Sequence, residues 1–397
     1  MKKNNKKQFS GFQTKAVHSG EEWNPTTSIS IPIFQTSTFK LLKYEDEARY
    51  AKEVAPFQFY TRWGNPTNKK LEKIMAELES GEEALSFGSG MGAVTMAILA
   101  NLNSGDHIIT SYPIYPEVVL LLKDIISDYG IHSTHLSYNQ LDELENYIKD
   151  NTRIIYIETP SNPMLEIADL SYIAKICKKY NIISIVDNTF ATPYNQNPLK
   201  HGIDIVVHSG TKYLGGHSDV VAGIVIGSKK NIEKIWKLSK TFGPILHPFD
   251  AWLIIRGLKT LGLRVEKQNY NALKLAQFLK EHKAVKKVYY PGLRDHQNHK
   301  IAKKQMKGFG GMLSFDLYGG LKAGKKFTQN VRVAIFAVSL GGTETLITHP
   351  AASLNHLNLT EEELSALGIT PGLVRVSVGI EDFEDLKRDF KQALQKL

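Results

Sequence analysis

The clearest chemistry in this chain belongs to one lysine, in the stretch His208-Ser209-Gly210-Thr211-Lys212-Tyr213-Leu214-Gly215-Gly216. An apolar run, Ile203-Asp204-Ile205-Val206-Val207, precedes it and reads as a buried parallel strand. A second apolar run, Val220 to Ile226, follows. Lys212 therefore sits on a hydroxyl- and glycine-rich turn where a strand ends, the edge at which open α/β sheets bind ligands. A lysine there is either a solvated surface side chain or an amine that forms a Schiff base. Asp187 closes a comparable apolar strand, Ile183-Ser184-Ile185-Val186. By itself it reads equally as a turn or helix cap. Together the pair suits pyridoxal phosphate: the acid keeps the pyridine nitrogen protonated, the lysine binds the aldehyde, and the ring becomes an electron sink.

Such a cofactor needs a phosphate cup, a flat partner and a substrate clamp. Gly90 and Met91 open a helix after Phe87-Gly88-Ser89, where free N–H groups cradle phosphate. Ser209 and Thr211 add hydroxyls. Tyr115 is a candidate to stack on the ring. Arg375, embedded in Leu373-Val374-Arg375-Val376-Ser377-Val378, offers a bidentate fork for a carboxylate, or else a structural ion pair.

The elements that must position these residues follow from the pattern. At 397 residues the chain exceeds the size of a single core, so two domains are expected. Asn65-Pro66-Thr67 opens a helix with Leu71, Ile74, Met75 and Leu78 on one stripe. Strands are expected at 107–110, 153–158, 182–187, 203–207 and 221–226, with helices between them such as 170–179. That alternation argues for an α/β fold with a mostly parallel sheet and helices on both faces. A long helical stretch from about Ala251 to His282 leads into a smaller α+β region, with strand-like segments at 312–317 and 373–378. Residues 1–61 show little helical period and read as an extended arm, which should pack on another subunit.

Composition excludes several classes. Charged residues are 22% and apolar ones 42%, as in ordinary globular proteins. No apolar run approaches the ~18 residues of a membrane span. The basic start, Met1-Lys2-Lys3-Asn4-Asn5-Lys6-Lys7, leads into no apolar segment and is not read as a secretory signal. A single cysteine, Cys177, fits a reducing compartment, hence a cytoplasmic location, and its helical spacing reads as core. The net charge of +9 is scattered, so no nucleic-acid partner is expected, although an anionic small ligand would be attracted.

Seven motifs now stand in order. They are Tyr60-Thr61-Arg62-Trp63-Gly64-Asn65-Pro66-Thr67, Ser89-Gly90-Met91-Gly92-Ala93, Glu158-Thr159-Pro160-Ser161-Asn162-Pro163, and Val186-Asp187-Asn188-Thr189-Phe190. His208 to Lys212 comes next, then Ser339-Leu340-Gly341-Gly342 with His349-Pro350-Ala351, and Val374 to Gly379. On these the whole chain resembles the Cys/Met-metabolism, transsulfuration class of pyridoxal-phosphate enzymes. That class includes cystathionine γ-synthase, cystathionine γ-lyase, methionine γ-lyase and the acylhomoserine sulfhydrylases. The resemblance implies the aspartate-aminotransferase (type I) fold, usually as a homotetramer of two active dimers. It divides the chain into an arm (1–61) reaching the neighbouring subunit's site, a cofactor-binding α/β domain (62–255) and a C-terminal α+β domain (256–397).

It also implies roles. Lys212 condenses with the cofactor and later moves protons. Asp187 pairs with the pyridinium, and Gly90, Met91, Ser209 and Thr211 hold the phosphate. Tyr60 and Arg62 reach the phosphate of a neighbouring subunit. Tyr115 stacks on the ring and assists proton transfer, while Asn162, Ser339 and Arg375 receive the substrate carboxylate. Arg62 and desolvation would lower the pKa of Lys212.

The reaction implied is γ-elimination or γ-replacement. Cystathionine-handling relatives usually carry glutamate where this chain has Val338, which suits an apolar γ-group such as methylthio and a methionine γ-lyase-like activity. Methionine γ-lyases, however, usually have Gly-Cys after the stacking tyrosine, where this chain has Pro116-Glu117. Glu117 would meet a distal amino group, which favours cystathionine γ-synthase, cystathionine γ-lyase or an O-acylhomoserine sulfhydrylase. Ser353-Leu354-Asn355-His356 also departs from the Ser-Met-Thr-His often seen there. A remote alternative comes from Gly88-Ser89-Gly90-Met91-Gly92-Ala93, which meets the loose dinucleotide pattern of an NAD-dependent oxidoreductase, with Asp106 downstream.

Overall fold

A computed structural model describes residues 9–353, 364 and 368–397. The lysine-rich start and Leu354, Asn355 and His356 lie outside the described residues. The first sheet has seven strands: β1 (Glu83–Phe87), β2 (His107–Tyr112), β3 (His132–Ser137), β4 (Thr152–Glu158), β5 (Ile183–Asp187), β6 (Ile205–Ser209) and β7 (Gly223–Gly227). Their spatial order is β1-β7-β6-β5-β4-β2-β3. The run from β6 to β3 is parallel, while β7 lies antiparallel to both β6 and β1.

The central strands are continuous apolar runs because both faces are covered. Ile205, Val206, Val207, Ile224, Val225 and Ile226 are all fully buried. Each such side chain contributes about 1.5–3 kcal/mol relative to exposure. Together they hold the strand ends that carry the site.

The second sheet runs β10 (Ile335–Phe336), β11 (Leu346–Thr348), β12 (Leu373–Ser377), β9 (Met312–Leu317) and β8 (Val285–Tyr289). It is antiparallel except for the β10–β11 pair. Helices Pro248–Leu258 and Leu261–Lys280 lie between the sheets in sequence. One apolar cluster runs from Ile224 and Ala222 through Ile254 and Leu275 to Leu313, Phe315 and Val374. The core is therefore continuous from sheet to sheet.

The arm read as extended carries two short helices, α1 (Phe12–His18) and α2 (Glu45–Lys52). In α1 only Ala16 is buried, so there was no apolar stripe for periodicity to detect. Ala16 packs into this chain's own core, and Gln13 lies so close to Gly262 that a Cβ there would meet its amide at 2.4 Å. The stretch 251–282 likewise divides into two helices at Lys259 and Thr260. Strands β1, β3 and β8 escaped the sequence reading because EALSF, HSTHLS and VKKVY are short and half polar.

Two local features set the site's geometry. Helix α3 (Pro66–Glu79) begins as read: the Asn65 side chain accepts the Thr67 N–H at 3.0 Å, with Pro66 in the first turn. Helix α4 (Gly90–Leu99) is capped by Ser89, whose Oγ accepts the Gly92 N–H at 3.0 Å. A Cβ on Gly223 would fall 2.0 Å from the Ser89 carbonyl oxygen, and one on Gly90 would fall 2.9 Å from Ser209 Cβ. Glycine at these two points lets the start of α4 press against β7 and the end of β6.

Candidate active site

The carboxyl ends of β4, β5 and β6 place Glu158, Asp187 and Ser209 along one edge, and Lys212 follows in the turn after β6. Lys212 and Arg375 meet through Ser339. Lys212 Nζ donates to Ser339 Oγ at 2.7 Å, and Arg375 Nη2 donates to the Ser339 carbonyl oxygen at 2.9 Å. Arg375 Nη1 donates to Asn162 Oδ1 at 3.1 Å. The fourth polar atom of this group, Arg375 Nε, is buried with no partner. An unpaired buried guanidinium donor marks a place for an anion that the protein itself does not supply. Ser339 has φ = 81°, the left-handed region that L-residues avoid. That conformation puts its hydroxyl on Lys212 and its carbonyl on Arg375 at once.

Burial, with Arg375 as second cause, lowers the pKa of Lys212 to about 8. Within the protomer that second cause is Arg375 and not Arg62, the residue expected to reach a neighbouring subunit's site. Arg62 lies over the Tyr60 ring, 5.3 Å from its centroid, and donates to the Lys240 carbonyl. Neither Tyr60 nor Arg62 hydrogen-bonds to Lys212, Ser339 or Arg375 within the protomer. The shift gives a test on the cofactor-free protein. Only the neutral amine condenses with an aldehyde, so the rate of yellow colour formation with pyridoxal phosphate should rise about tenfold per pH unit and level off above about pH 8. A rate still climbing at about pH 10 would return the amine to its ordinary value.

Asp187 accepts the Thr189 N–H at 2.9 Å and the Tyr156 hydroxyl at 3.4 Å. Burial raises its pKa, against the pull of Thr189 and His208. His208 is itself 1% exposed, with Nε2 2.5 Å from Glu79 Oε1.

The amides of Gly90 and Met91 open α4 and have no intrahelical acceptor. They sit against Ser209, whose N–H donates to Thr189 Oγ1 at 2.8 Å. The Thr211 hydroxyl bonds Ala222, accepting its N–H at 3.0 Å. Free helix-start amides, a serine hydroxyl and a cradle that a Cβ would fill make a fit for a phosphate group. With Lys212 and Asp187 on the same edge, the residues present fit pyridoxal phosphate.

Tyr115 is half exposed, and its N–H donates to Glu158 Oε2 at 2.9 Å. Burial, followed by Glu117 and Glu158, raises the pKa of its phenol. Glu117 is exposed in the first turn of helix Pro116–Leu120. Val338, adjoining Ser339, is 77% exposed. Glu158, for which the sequence analysis expects no role, closes β4 just as Asp187 closes β5. The same signal, an acid ending an apolar run, would have found it.

The dinucleotide reading fails on topology. Strand β1 is a sheet-edge strand antiparallel to β7, so the glycine turn that follows it does not belong to a unit of adjacent parallel strands. Among the described residues, no helix is long and apolar enough to cross a membrane.

The chain is 47% identical over 391 residues to an L-methionine gamma-lyase of Fusobacterium nucleatum subsp. polymorphum, covering 98% of each. It is 44% identical over 387 residues to a cystathionine gamma-lyase of Bacillus subtilis, covering 97% of this chain and 99% of that one. Its fold matches the crystal structure of a cystathionine gamma-lyase from Lactobacillus plantarum complexed with L-serine, with TM-score 0.90, 38% identity, and coverage of 97% and 99%. Residues 13–395 match the Cys/Met metabolism PLP-dependent enzyme family. With that match and that geometry, this chain belongs to the Cys/Met metabolism family of pyridoxal-phosphate-dependent enzymes.

Proposed function

We propose that the protein eliminates the γ-substituent of a sulfur amino acid, with methionine as substrate and methanethiol, 2-oxobutanoate and ammonia as products. The observation that carries this reading is Val338. It is an exposed apolar side chain next to the Ser339 that touches Lys212, where a carboxylate would be needed to meet a distal ammonium. The likeness to an L-methionine gamma-lyase supports it. Glu117, beside Tyr115, favours the second reading, in which cystathionine is cleaved or formed or an O-acylhomoserine is the substrate.

When bound, pyridoxal phosphate supplies the electron sink that makes the substrate Cα–H acidic. The chain's residues do the rest. Asp187 would hold the pyridine proton, and Gly90, Met91, Ser209 and Thr211 would hold the phosphate. Tyr115 would cover the ring. Arg375 and Asn162, with Ser339, hold the substrate carboxylate, and Arg375 Nε is a donor ready for it. Lys212 Nζ, poised near neutrality, takes the Cα proton and moves it onward. The Tyr115 hydroxyl keeps its proton and can hand it to the departing sulfur.

We also infer a cytoplasmic homotetramer. The single cysteine, Cys177, is free and buried. The arm exposes Ile29, Leu41, Leu42 and Tyr44, an apolar set that a second subunit would cover, bringing Tyr60 and Arg62 to its neighbour's phosphate. Incubating the holoenzyme with methionine, cystathionine, cysteine and O-acylhomoserines, followed by product identification, tests the reaction. Methionine should yield 2-oxobutanoate and methanethiol. No such products from methionine, together with joining of cysteine to an acylhomoserine, would establish the synthase instead.

A further inference from the structure

The carboxyl of Glu158 has no part in the scheme above, yet it is built into the same edge. Glu158 and Asp187 are register partners on adjacent parallel strands, so their backbones lie about 4.8 Å apart. Glu158 is 5% exposed. Its Oε2 accepts the main-chain N–H of Tyr115 at 2.9 Å. Its Oε1 is buried with no partner. Asp187, by contrast, accepts the Thr189 N–H and the Tyr156 hydroxyl, and has His208 close by.

Two carboxyls so placed do not both ionise. The donors decide which one does. A charged oxygen buried without a donor is far more costly than a neutral one in the same position. The member with the orphaned oxygen therefore keeps the proton.

We propose that Glu158 is a positioning residue for the cofactor site: it holds the proton of the Glu158–Asp187 pair, leaves the negative charge on Asp187, and moors the main chain of Tyr115 to the sheet edge. The tyrosine proposed to cover the ring is thus placed through one neutral carboxyl. The other ionisable groups around it are Tyr115, Tyr138, Tyr156 and Arg375. The Tyr138 hydroxyl donates to the Glu158 carbonyl, and burial keeps all three phenols protonated. Arg375 on β12 is the nearby cation, and it pulls Glu158 toward ionisation. Burial and Asp187 outweigh it and push the carboxyl up to about 8.

The test compares the wild type with Glu158→Gln, which is neutral, of the same shape, and still accepts the Tyr115 N–H. The probe is deoxypyridoxine 5′-phosphate, which lacks the aldehyde and does not condense with Lys212. Its dissociation constant is read by fluorescence at about pH 7, where the Glu158 carboxyl is neutral. The variant should bind the probe within about threefold of wild type, because it replaces a neutral carboxyl by a neutral amide.

Thermal unfolding of the cofactor-free proteins is the second readout. The unfolded carboxyl ionises near about 4.3, below its native value, so the native state binds the extra proton in between. Wild type should therefore lose stability as pH rises from about 4.3 to about 8, and the variant should not. A variant that binds the probe tenfold or more weakly at neutral pH, or one whose stability falls with pH from about 4.3 to about 8 as steeply as that of wild type, overturns the proposal.

Discussion

Replacing Lys212 by alanine is expected to remove the yellow colour of the holoenzyme and to lower turnover by about 10⁴-fold or more. General acid–base transfer by one side chain accounts for about 10²–10⁴ of that. Loss of the covalent tether and its preorganisation supplies the remainder. The variant should still fold. In the cofactor-free protein the amine is desolvated and faces the Arg375 cation, and both effects oppose its charge. Removing it takes away an unfavourable contact, so the unfolding temperature of the cofactor-free variant should equal or exceed that of wild type. Lys212→Arg separates charge from chemistry: it keeps a cation near Ser339 and cannot condense. Colour and turnover that survive in Lys212→Ala would sink the assignment of this residue.

The second large effect is expected at Arg375. Its guanidinium is buried and makes two hydrogen bonds, to Asn162 and to the Ser339 carbonyl, while Nε remains unpaired. Arg375→Ala leaves a substrate carboxylate without its fork, and breaking a buried charge pair costs about 3–5 kcal/mol. The kcat/KM for amino acids should fall by about 10²–10³-fold, mostly through KM. Arg375→Lys keeps the charge and loses the planar fork, so it should recover only part of this. A decarboxylated substrate analogue, with no carboxylate to lose, should distinguish the two enzymes far less. A KM unchanged in Arg375→Ala would show that the carboxylate binds elsewhere. A second consequence concerns Lys212. Arg375 disfavours the charged amine, so its removal should move the pH at which condensation levels off upward from about 8.

Much of this site is legible along the chain because its parts end apolar runs. Asp187 and Lys212 stand out at the ends of runs that form β5 and β6, and those strands are neighbours. The capped helix starts at Asn65 and Ser89 are equally local, since one side chain bonds an N–H two or three residues on. Glu158 carries the same local signal as Asp187. It passed unnoticed because the significance of a buried acid depends on what sits across the strand. The helices of the arm were hidden for the opposite reason: α1 buries one alanine, and its docking beside Gly262 is a tertiary contact that no period records.

Helix capping and the identity of the lysine-bearing turn were decided by interactions within a few residues, and the linear order of amino acids suffices for those. The cation that lowers the pKa of Lys212 was not. Arg375 lies 36 residues after Ser339 and far beyond Lys212 in the chain, and only the folded left-handed turn at Ser339 brings the three together. The proton on Glu158 is likewise a property of the fold. A carboxyl's charge depends on the donors and dielectric around it, and these exist only once β4 and β5 lie side by side.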